Sequence, residues 1–293
     1  MSFLSKIINK YILKKEYPEN FFKYIGTAGS RFSMMKQIRS TGGIWFSYGG
    51  ITGVIDPGPG SLFNICRSEP ELDPNSLDII LLSHKHLDHS TDINVLVEAM
   101  TNGGFEKRGM FVLPMDCYDN DDPVLLRYSR RSINMIVTPE DRDIIDLGKG
   151  VTVEIVSLEH HGVQCFGFIF RKEGLKTWGV ISDTKPLEKL SERYCDCDFI
   201  SVNATFPQKK PNLDHMSFED IGDLIKKISP KLVTVTHLGL RVLENNPPKL
   251  ASEICTPKTK VYAGEDGMFV NLSNLDVFRP RKVSIEVSGY TKS

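Results

Sequence analysis

With 293 residues, the chain is long enough to form one large domain or two smaller ones. Its composition, with 40% hydrophobic and 25% charged residues, is that of a globular protein, and the net charge of -1 argues against a protein that coats nucleic acid. There is no apolar run of the roughly 18 residues that a membrane-spanning helix needs, so we expect no membrane span. The six cysteines include no CxxC pair, and the nearest two, Cys195 and Cys197, favour a reduced turn over a redox or metal element. We therefore expect a cytoplasmic protein.

The N-terminal segment intersperses lysines among large apolar residues. Residues 1–20 are predicted to form an amphipathic helix that packs on the body of the protein or on a partner, with a membrane surface as the alternative. The segment lacks the long apolar region and the small-residue cleavage site of a signal peptide. Residues 21–293 are predicted to form one domain, because no repeat, low-complexity stretch or Pro/Ser-rich linker interrupts them.

The domain is predicted to begin with strands. Residues 21–25 form the first, and residues 43–48 and 51–56 are predicted to form a hairpin around a Gly-Gly turn. Asp56 ends this hairpin, directly before a proline. Its carboxylate either orients a metal-ligating histidine from behind or starts a turn, and we favour the first role.

The stretch from Ser83 to His89 is the most informative part of the sequence. It follows an apolar segment of strand length, residues 77–82, and precedes a predicted helix over residues 93–100. Imidazole and carboxylate groups suit Zn²⁺, Mn²⁺ or Fe²⁺. The stretch offers more ligands than one tetrahedral site can take from so short a turn, which favours two ions about 3.5–4 Å apart. The candidate ligands here are His84, His86, Asp88 and His89.

The second half of the domain again places polar residues at the ends of predicted strands. His161, Asp183 and His237 each follow an apolar strand. Ligands at successive strand ends converge on one edge of a sheet, where α/β folds place their sites. We therefore expect these three residues to join the first cluster. The other elements expected here are a helix over residues 122–131, a helix over residues 216–228 capped by Ser217, and a hairpin around residues 264–267.

The sequence of residues 84–89 is His-Lys-His-Leu-Asp-His, which resembles the HxHxDH signature of the metallo-β-lactamase superfamily. The resemblance covers roughly residues 22–272 and implies an α/β fold, the four-layer αββα sandwich. It also implies a centre of two divalent metal ions, for which we expect Zn²⁺, with Mn²⁺ or Fe²⁺ as alternatives, and it makes Asp56 the family's early strand-end aspartate. The implied ligands are His84, His86 and His161 for one ion, Asp88, His89 and His237 for the other, and Asp183 as a bridge.

Three further motifs resemble the ribonuclease Z and cyclic-phosphodiesterase branch of this superfamily. Residues 26–30 are similar to its opening GTGS-type turn, and residues 204–206 are similar to its ATF element. His215 begins a segment similar to its HST element, which implies that His215 is the general acid. Asp88 is expected to orient the attacking water.

The sequence departs from the branch in two places. Asn203 stands before the ATF element where the branch usually has a glutamate, which leaves the orientation of His215 open. Only 21 residues separate His161 from Asp183, so there is no room for the arm with which bacterial ribonuclease Z grips tRNA.

Together these features predict a phosphodiesterase that acts on a small nucleotide, a cyclic nucleotide or an RNA end by attack of a metal-bound hydroxide. The expected partners are a small phosphodiester or nucleotide substrate, with RNA as an alternative, and further copies of the chain in a homo-oligomer. Two other functions stay open: an acyl-bond hydrolase, such as a lactonase or thioesterase, and a non-catalytic metal-binding protein. His215 and the ATF element favour the phosphodiesterase, because an acyl hydrolase does not require them.

Overall fold

The computed structural model describes residues 16–280, which form two β-sheets with helices on their outer faces. The helix predicted for residues 1–20 falls mostly outside the described residues, and residues 16–20 contain no helix. The strands are β1 (Phe21–Tyr24), β2 (Ile44–Tyr48), β3 (Ile51–Ile55), β4 (Ile79–Leu81), β5 (Arg108–Val112), β6 (Ile133–Val137), β7 (Ile144–Gly148), β8 (Val151–His160), β9 (Val163–Arg171), β10 (Trp178–Ile181), β11 (Phe199–Asn203), β12 (Leu232–Thr236), β13 (Lys260–Ala263), β14 (Phe269–Asn271) and β15 (Val277–Phe278).

The helices are short and lie in the connections between strands. Two single 3₁₀ turns, Pro74–Ser76 and Ser129–Ser132, accompany them. The α-helices are α1 (Arg31–Lys36), α2 (Ser61–Cys66), α3 (Leu87–Ser90), α4 (Ile93–Met100), α5 (Met115–Tyr118), α6 (Lys189–Arg193), α7 (Phe218–Ile228), α8 (Leu240–Glu244) and α9 (Pro247–Glu253).

Both sheets combine antiparallel and parallel strands. The first has the order β15-β14-β1-β2-β3-β4-β5-β6, and its strands from β3 to β6 are parallel. The second has the order β13-β12-β11-β10-β9-β8-β7, and its strands from β10 to β13 are parallel. Because parallel strands direct their carboxyl ends to the same edge, each sheet gathers several loops at one edge.

The hydrophobic core has three layers. The central layer lies between the sheets and is rich in aromatic residues, with the Phe22 ring stacked 5.2 Å from the Trp178 ring between centroids. A second layer joins the seven-stranded sheet to α7, and a third joins the eight-stranded sheet to α4. Two sheets covered by helices on both outer faces form an αββα sandwich, which confirms the predicted fold class.

The hairpin predicted for residues 43–56 is present as β2 and β3, with Tyr48 opposite Ile51. Gly49 and Gly50 both have positive φ, at 60° and 86°. Two central residues with positive φ are what a two-residue turn of this kind requires, and glycine adopts them without strain.

The hairpin predicted around residues 264–267 is wrong. Its two strands, β13 and β14, belong to different sheets, so the connection crosses from one sheet to the other. The Asp266 carboxylate stabilises this crossing by accepting hydrogen bonds from the backbone N–H groups of Thr27 and Ser40, at 2.9 and 2.7 Å. These partners lie far away in sequence, so no local pattern shows them.

The helix predicted for residues 122–131 is also wrong, because the segment contains turns and the final 3₁₀ turn instead. The Asn94 side chain on α4 donates to the Val124 carbonyl at 2.9 Å and accepts from the Leu126 N–H at 3.0 Å. These tertiary bonds occupy backbone groups that a helix would pair internally.

Within residues 16–280, no helix combines the length and apolar character that crossing a membrane demands. The cysteines of the described region are free thiols. Cys195 is exposed and Cys197 is buried.

Candidate metal centre

Strand ends from both sheets bring seven His and Asp side chains together. The stretch after β4 belongs to the eight-stranded sheet, whereas the residues at the ends of β8, β10 and β12 belong to the seven-stranded sheet. The cluster therefore lies where the two sheets meet at one edge. These seven form overlapping groups close enough to share metal ions: His84, His86, Asp88, His89, His160, Asp183 and His237. Two further histidines adjoin them, because His161 and His215 form a group with His160, and His215 forms another with Asp183 and His237.

The first group consists of His84, His86 and His160. His86 Nδ1 lies 3.0 Å from His84 Nε2 and 3.1 Å from His160 Nε2. His160 Nδ1 lies 2.8 Å from the Asp214 carbonyl oxygen, which only accepts, so the His160 proton is on Nδ1 and its Nε2 lone pair faces the group. Three ring nitrogens this close repel one another unless a cation or protons lie between them, so the donor set fits a metal ion.

His84 is oriented in the same way through a serine. The Ser83 hydroxyl donates to Asp56 Oδ2 at 2.7 Å, so it accepts from His84 Nδ1 at 2.9 Å. This leaves the lone pair of His84 Nε2 directed at His86.

The second group consists of Asp88, His89 and His237. His89 Nδ1 lies 3.0 Å from Asp56 Oδ2, and its Nε2 is buried without a hydrogen-bond partner. His237 Nε2 lies 3.1 Å from Asp88 Oδ2. A buried nitrogen lone pair beside an ionised carboxylate is unfavourable unless a proton or a metal ion lies between them, so the donor set of this group also fits a metal ion.

Asp183 lies between the two groups. Its Oδ2 is 3.2 Å from His237 Nε2, 3.4 Å from His89 Nε2 and 3.6 Å from His160 Nε2. Its Oδ1 accepts a hydrogen bond of 2.8 Å from the Asn203 amide. Asn203 therefore satisfies the outer oxygen of Asp183, whereas a glutamate at this position would face a second negative charge.

The third histidine beside His84 and His86 is His160, whereas the predicted His161 forms a group with His160 and His215. Strands β8 and β9 pair with His160 opposite Val163, so His161 and Gly162 are the two central residues of a tight turn, with φ of 44° and 73°. The His161 side chain is 43% exposed, and its backbone N–H donates to Asp214 Oδ2 at 2.8 Å. Strand β8 runs to His160, two residues beyond the predicted strand over residues 151–158, so His160 lies in the cluster and His161 lies in the turn, at the cavity wall.

The Asp56 carboxylate lies behind both groups. Besides His89 and the Ser83 hydroxyl, it accepts the Ser83 backbone N–H at 2.6 Å. One carboxylate thus orients His89 directly and His84 through Ser83, which is the geometry expected of a residue that orients ligands.

The electrostatics of the cluster favour neutral histidines and ionised carboxylates. Burial lowers the pKa of His86 and of His160 to about 4, and it also lowers the pKa of His84. Burial alone would raise the pKa of Asp183, but the neighbouring histidines outweigh it and hold that pKa well below its usual range. Metal ligands need these ionisation states.

His89 differs from the other histidines. Burial alone would lower its pKa, but Asp88 and Asp183 outweigh burial and raise that pKa well above the usual range. Without a cation beside it, His89 therefore keeps a proton at neutral pH.

His215 lies next to the cluster, in the wall of a cavity of about 1040 Å³. Its Nδ1 is 3.1 Å from Thr205 Oγ1 and 3.6 Å from Asp183 Oδ2. Thr205 Oγ1 is also 3.0 Å from His237 Nδ1. If His237 uses Nε2 as a ligand, its Nδ1–H donates to Thr205, and the hydroxyl donates to His215 Nδ1. The proton of a neutral His215 is then on Nε2.

Sequence reasoning did not indicate the contacts that His160, Asn203 and Thr205 make with the cluster. Only the length of the strand before His161, together with a two-residue turn ending in glycine, could have indicated His160. Asn203 and Thr205 are recognisable only from their partners, which lie 20 and 32 residues away.

Known proteins resemble this chain in sequence and in structure. Residues 53–238 match the model of the family described as the Beta-lactamase superfamily domain. An uncharacterized protein, MJ1374, of Methanocaldococcus jannaschii is 25% identical over 259 residues, covering 86% of this chain and 94% of that protein. Ribonuclease Z of Clostridium beijerinckii is 22% identical over 255 residues, covering 68% of this chain and 82% of that protein.

Among solved structures, the metallo-β-lactamase fold protein YhfI from Bacillus subtilis superposes with a TM-score of 0.70 at 18% identity, covering 85% of this chain and 98% of that chain. The family match runs from β3 to just beyond His237, so it contains the whole His and Asp cluster. The chain therefore belongs to the family of the β-lactamase superfamily domain and is a hydrolase of the metallo-β-lactamase fold.

Proposed function

We propose that this hydrolase is a phosphodiesterase with two metal ions that acts on small nucleotide diesters. The observation that carries the proposal is the position of His215 in the cavity wall, 3.6 Å from the carboxylate shared by the two ligand groups. A phosphodiester needs a proton for its leaving oxygen, and an imidazole beside the centre can supply one. The sequence relationship to a ribonuclease supports the same class of reaction.

Two divalent cations, Zn²⁺ with Mn²⁺ or Fe²⁺ as alternatives, would supply an activated water at neutral pH and neutralise charge on the phosphoryl oxygens. The groups of His and Asp side chains in the described residues support this part of the proposal. His84, His86 and His160 would hold one ion, Asp88, His89 and His237 the other, and Asp183 would contact both. His160 takes the place predicted for His161.

Asp88 and His215 have the catalytic roles in this proposal. Asp88 Oδ2 accepts the Ser30 N–H at 2.8 Å, which fixes the carboxylate at the cavity floor, where it orients the attacking water. His215 directs its Nε2 to the leaving oxygen. Burial lowers the pKa of His215 to about 4, and a bound anionic phosphate favours the protonated ring, so the acid forms when substrate is present.

The first test is the His215→Ala variant on two diesters, one with an alkyl and one with an aryl leaving group. We expect kcat to fall by about 10²–10⁴ on the alkyl diester, because an alkoxide needs a proton in the transition state. We expect a much smaller loss with p-nitrophenolate, which leaves readily as an anion. The metal content should stay that of the wild type.

Asp183→Ala is the matched control, because it should lose metal and should lose activity on both diesters alike. Equal losses on both diesters for His215→Ala would show that His215 only binds substrate or supports structure. Hydrolysis of a lactone or thioester faster than of any diester would instead favour the acyl hydrolase.

A further inference from the structure

We propose that the cavity above the cluster binds nucleotides that carry a second phosphate group in addition to the phosphodiester that is cleaved. This inference rests on the proposed function and narrows it to a substrate class. The cavity, about 1040 Å³, lies at the upper end of the range of about 300–1,000 Å³ that is usual for small-molecule sites. It is therefore large enough for a substrate that extends beyond the reacting phosphate.

The charges that line the cavity are the first argument. Four cationic side chains line it, Arg31, Lys85, Lys210 and Arg241, and we call them the cationic rim. The carboxylates that line it are Asp88 and Asp183, both already used by the cluster. One phosphodiester carries a single negative charge, and the metal centre faces that charge. The cationic rim can therefore attract further negative charge on the ligand.

The ion pairing of these cations with protein carboxylates is the second argument. Across residues 16–280, no member of the cationic rim forms an ion pair with a carboxylate, whereas two lysines that do not line the cavity do. Lys209, next to Lys210 in the chain, lies 2.6 Å from Asp223, and Lys185 lies 2.5 Å from Glu159. Cations without protein partners in a concave site attract anions and strengthen their binding.

The rim members come from separate parts of the fold. Arg31 begins α1, Lys85 lies between two cluster histidines, Lys210 belongs to the connection after β11, and Arg241 is on α8. Because cations from four segments line the cavity, an anionic group of the ligand that extends away from the cluster can contact the rim on several sides.

Apolar side chains between these cations indicate the rest of the ligand. Phe32 and Leu87 both line the cavity and are both 64% exposed. Phe206 lines it as well and lies 6.2 Å from the His215 ring between centroids. Large apolar surfaces beside cations suit the flat face of a nucleobase. Together the rim and these side chains fit a nucleotide with more than one phosphate.

The test compares two substrates that differ in one phosphate. The first is the 5′-(p-nitrophenyl phosphate) ester of thymidine, and the second is the same ester with a 3′-phosphate. We expect kcat/KM to be at least about tenfold higher for the second ester, mainly through KM, which corresponds to one charge-assisted hydrogen bond. Raising the salt concentration should reduce this ratio.

Variants connect the preference to the rim. Arg31→Gln and Lys210→Gln should lower the ratio of the two kcat/KM values towards one. The controls Lys36→Gln on α1 and Lys209→Gln next to Lys210 replace lysines that do not line the cavity, so the ratio should stay as in the wild type. Equal kcat/KM values for the two esters, or rim variants that keep the full ratio, would overturn the inference.

Binding separates this inference from the proposed function. The metal-loaded protein should bind thymidine 3′,5′-bisphosphate at least about tenfold more tightly than thymidine 5′-monophosphate in isothermal titration calorimetry. If neither ester is hydrolysed but this difference is present, the proposed function fails, whereas the preference of the cavity for a nucleotide with a second phosphate stands. If both esters are hydrolysed and both nucleotides bind equally, the inference fails and the proposed function stands.

Discussion

His160 and His161 are neighbours in the chain but differ in environment. The His160 ring is buried against His86, whereas the His161 ring is 43% exposed. We predict that His160→Ala loses about one of the two metal ions per chain, because one group then has too few nitrogen ligands. Elemental analysis after reconstitution with Zn²⁺ measures this. His161→Ala is the matched control and should keep both ions, and the opposite pattern would restore His161 as the ligand.

The raised pKa of His89 predicts that metal binding depends on pH. The pKa of His89 is raised, so metal must displace its proton at neutral pH, whereas His86 and His160, with pKa of about 4, are already neutral. We therefore predict that the affinity for metal rises with pH up to the raised pKa of His89 and that loading at pH 7 releases about one proton from this group. Calorimetric titrations in buffers of different ionisation enthalpy count the protons. The absence of any proton release would contradict the assignment of His89.

At the residue scale, the sequence is most informative where ligands are consecutive. His84, His86, Asp88 and His89 form one motif, so their chemistry is visible without the fold. The role of Thr205 is not visible in this way, because it depends on two histidines, His215 and His237, that only the fold brings within 3.1 Å of its hydroxyl.

The capping box of helix α7 lies next to His215, the proposed general acid. The Ser217 side chain accepts the Asp220 N–H while the Asp220 side chain accepts the Ser217 N–H, which forms a capping box two residues after His215. We predict that Ser217→Ala lowers the free energy of unfolding by about 0.5–2 kcal/mol, the cost of losing an N-cap. It should also lower kcat on the alkyl diester, because the segment that carries His215 loses its anchor.

Thermal or urea unfolding measures the first effect, and the ratio of alkyl to aryl diester rates measures the second. Ser217→Thr keeps the hydroxyl and should stay close to the wild type in both. A Ser217→Ala protein with reduced stability but an unchanged rate ratio would show that the helix cap does not position His215.

At the element scale, alternating or apolar runs predicted most strands of both sheets, but not the pairing of every strand. The hairpin of β2 and β3 is encoded locally by Gly49 and Gly50. In contrast, the connection from β13 to β14 depends on Asp266, whose hydrogen-bond partners lie near the start of the domain. When a protein contains two sheets, a glycine-rich turn between two strands therefore does not show whether those strands pair with each other.

At the scale of the whole molecule, the connection between β9 and β10 bears on whether the protein accepts a large RNA substrate. Strands β9 and β10 are joined by residues 172–177 alone, so no arm projects between His161 and Asp183. We predict that kcat/KM for a precursor tRNA is well below that for small diesters, because remote binding energy supports the turnover of large substrates. Steady-state rates on precursor tRNA, bis-p-nitrophenyl phosphate and a cyclic nucleotide measure this. A precursor tRNA as the best of these three substrates would contradict it.

The candidate metal centre also connects the two sheets of the fold. Each ion would take two ligands from the loop after β4 and one histidine from the other sheet, and Asp183 would add a further ligand from that second sheet. Neither sheet alone provides a full set of metal ligands, so the site is complete only when both sheets have folded and packed together. Metal binding would therefore stabilise the state in which the two sheets are docked correctly. The stabilisation would be about 2.7 kcal/mol when free metal is at 100 times its dissociation constant. Removing the metal should therefore weaken the packing between the two sheets before either sheet unfolds.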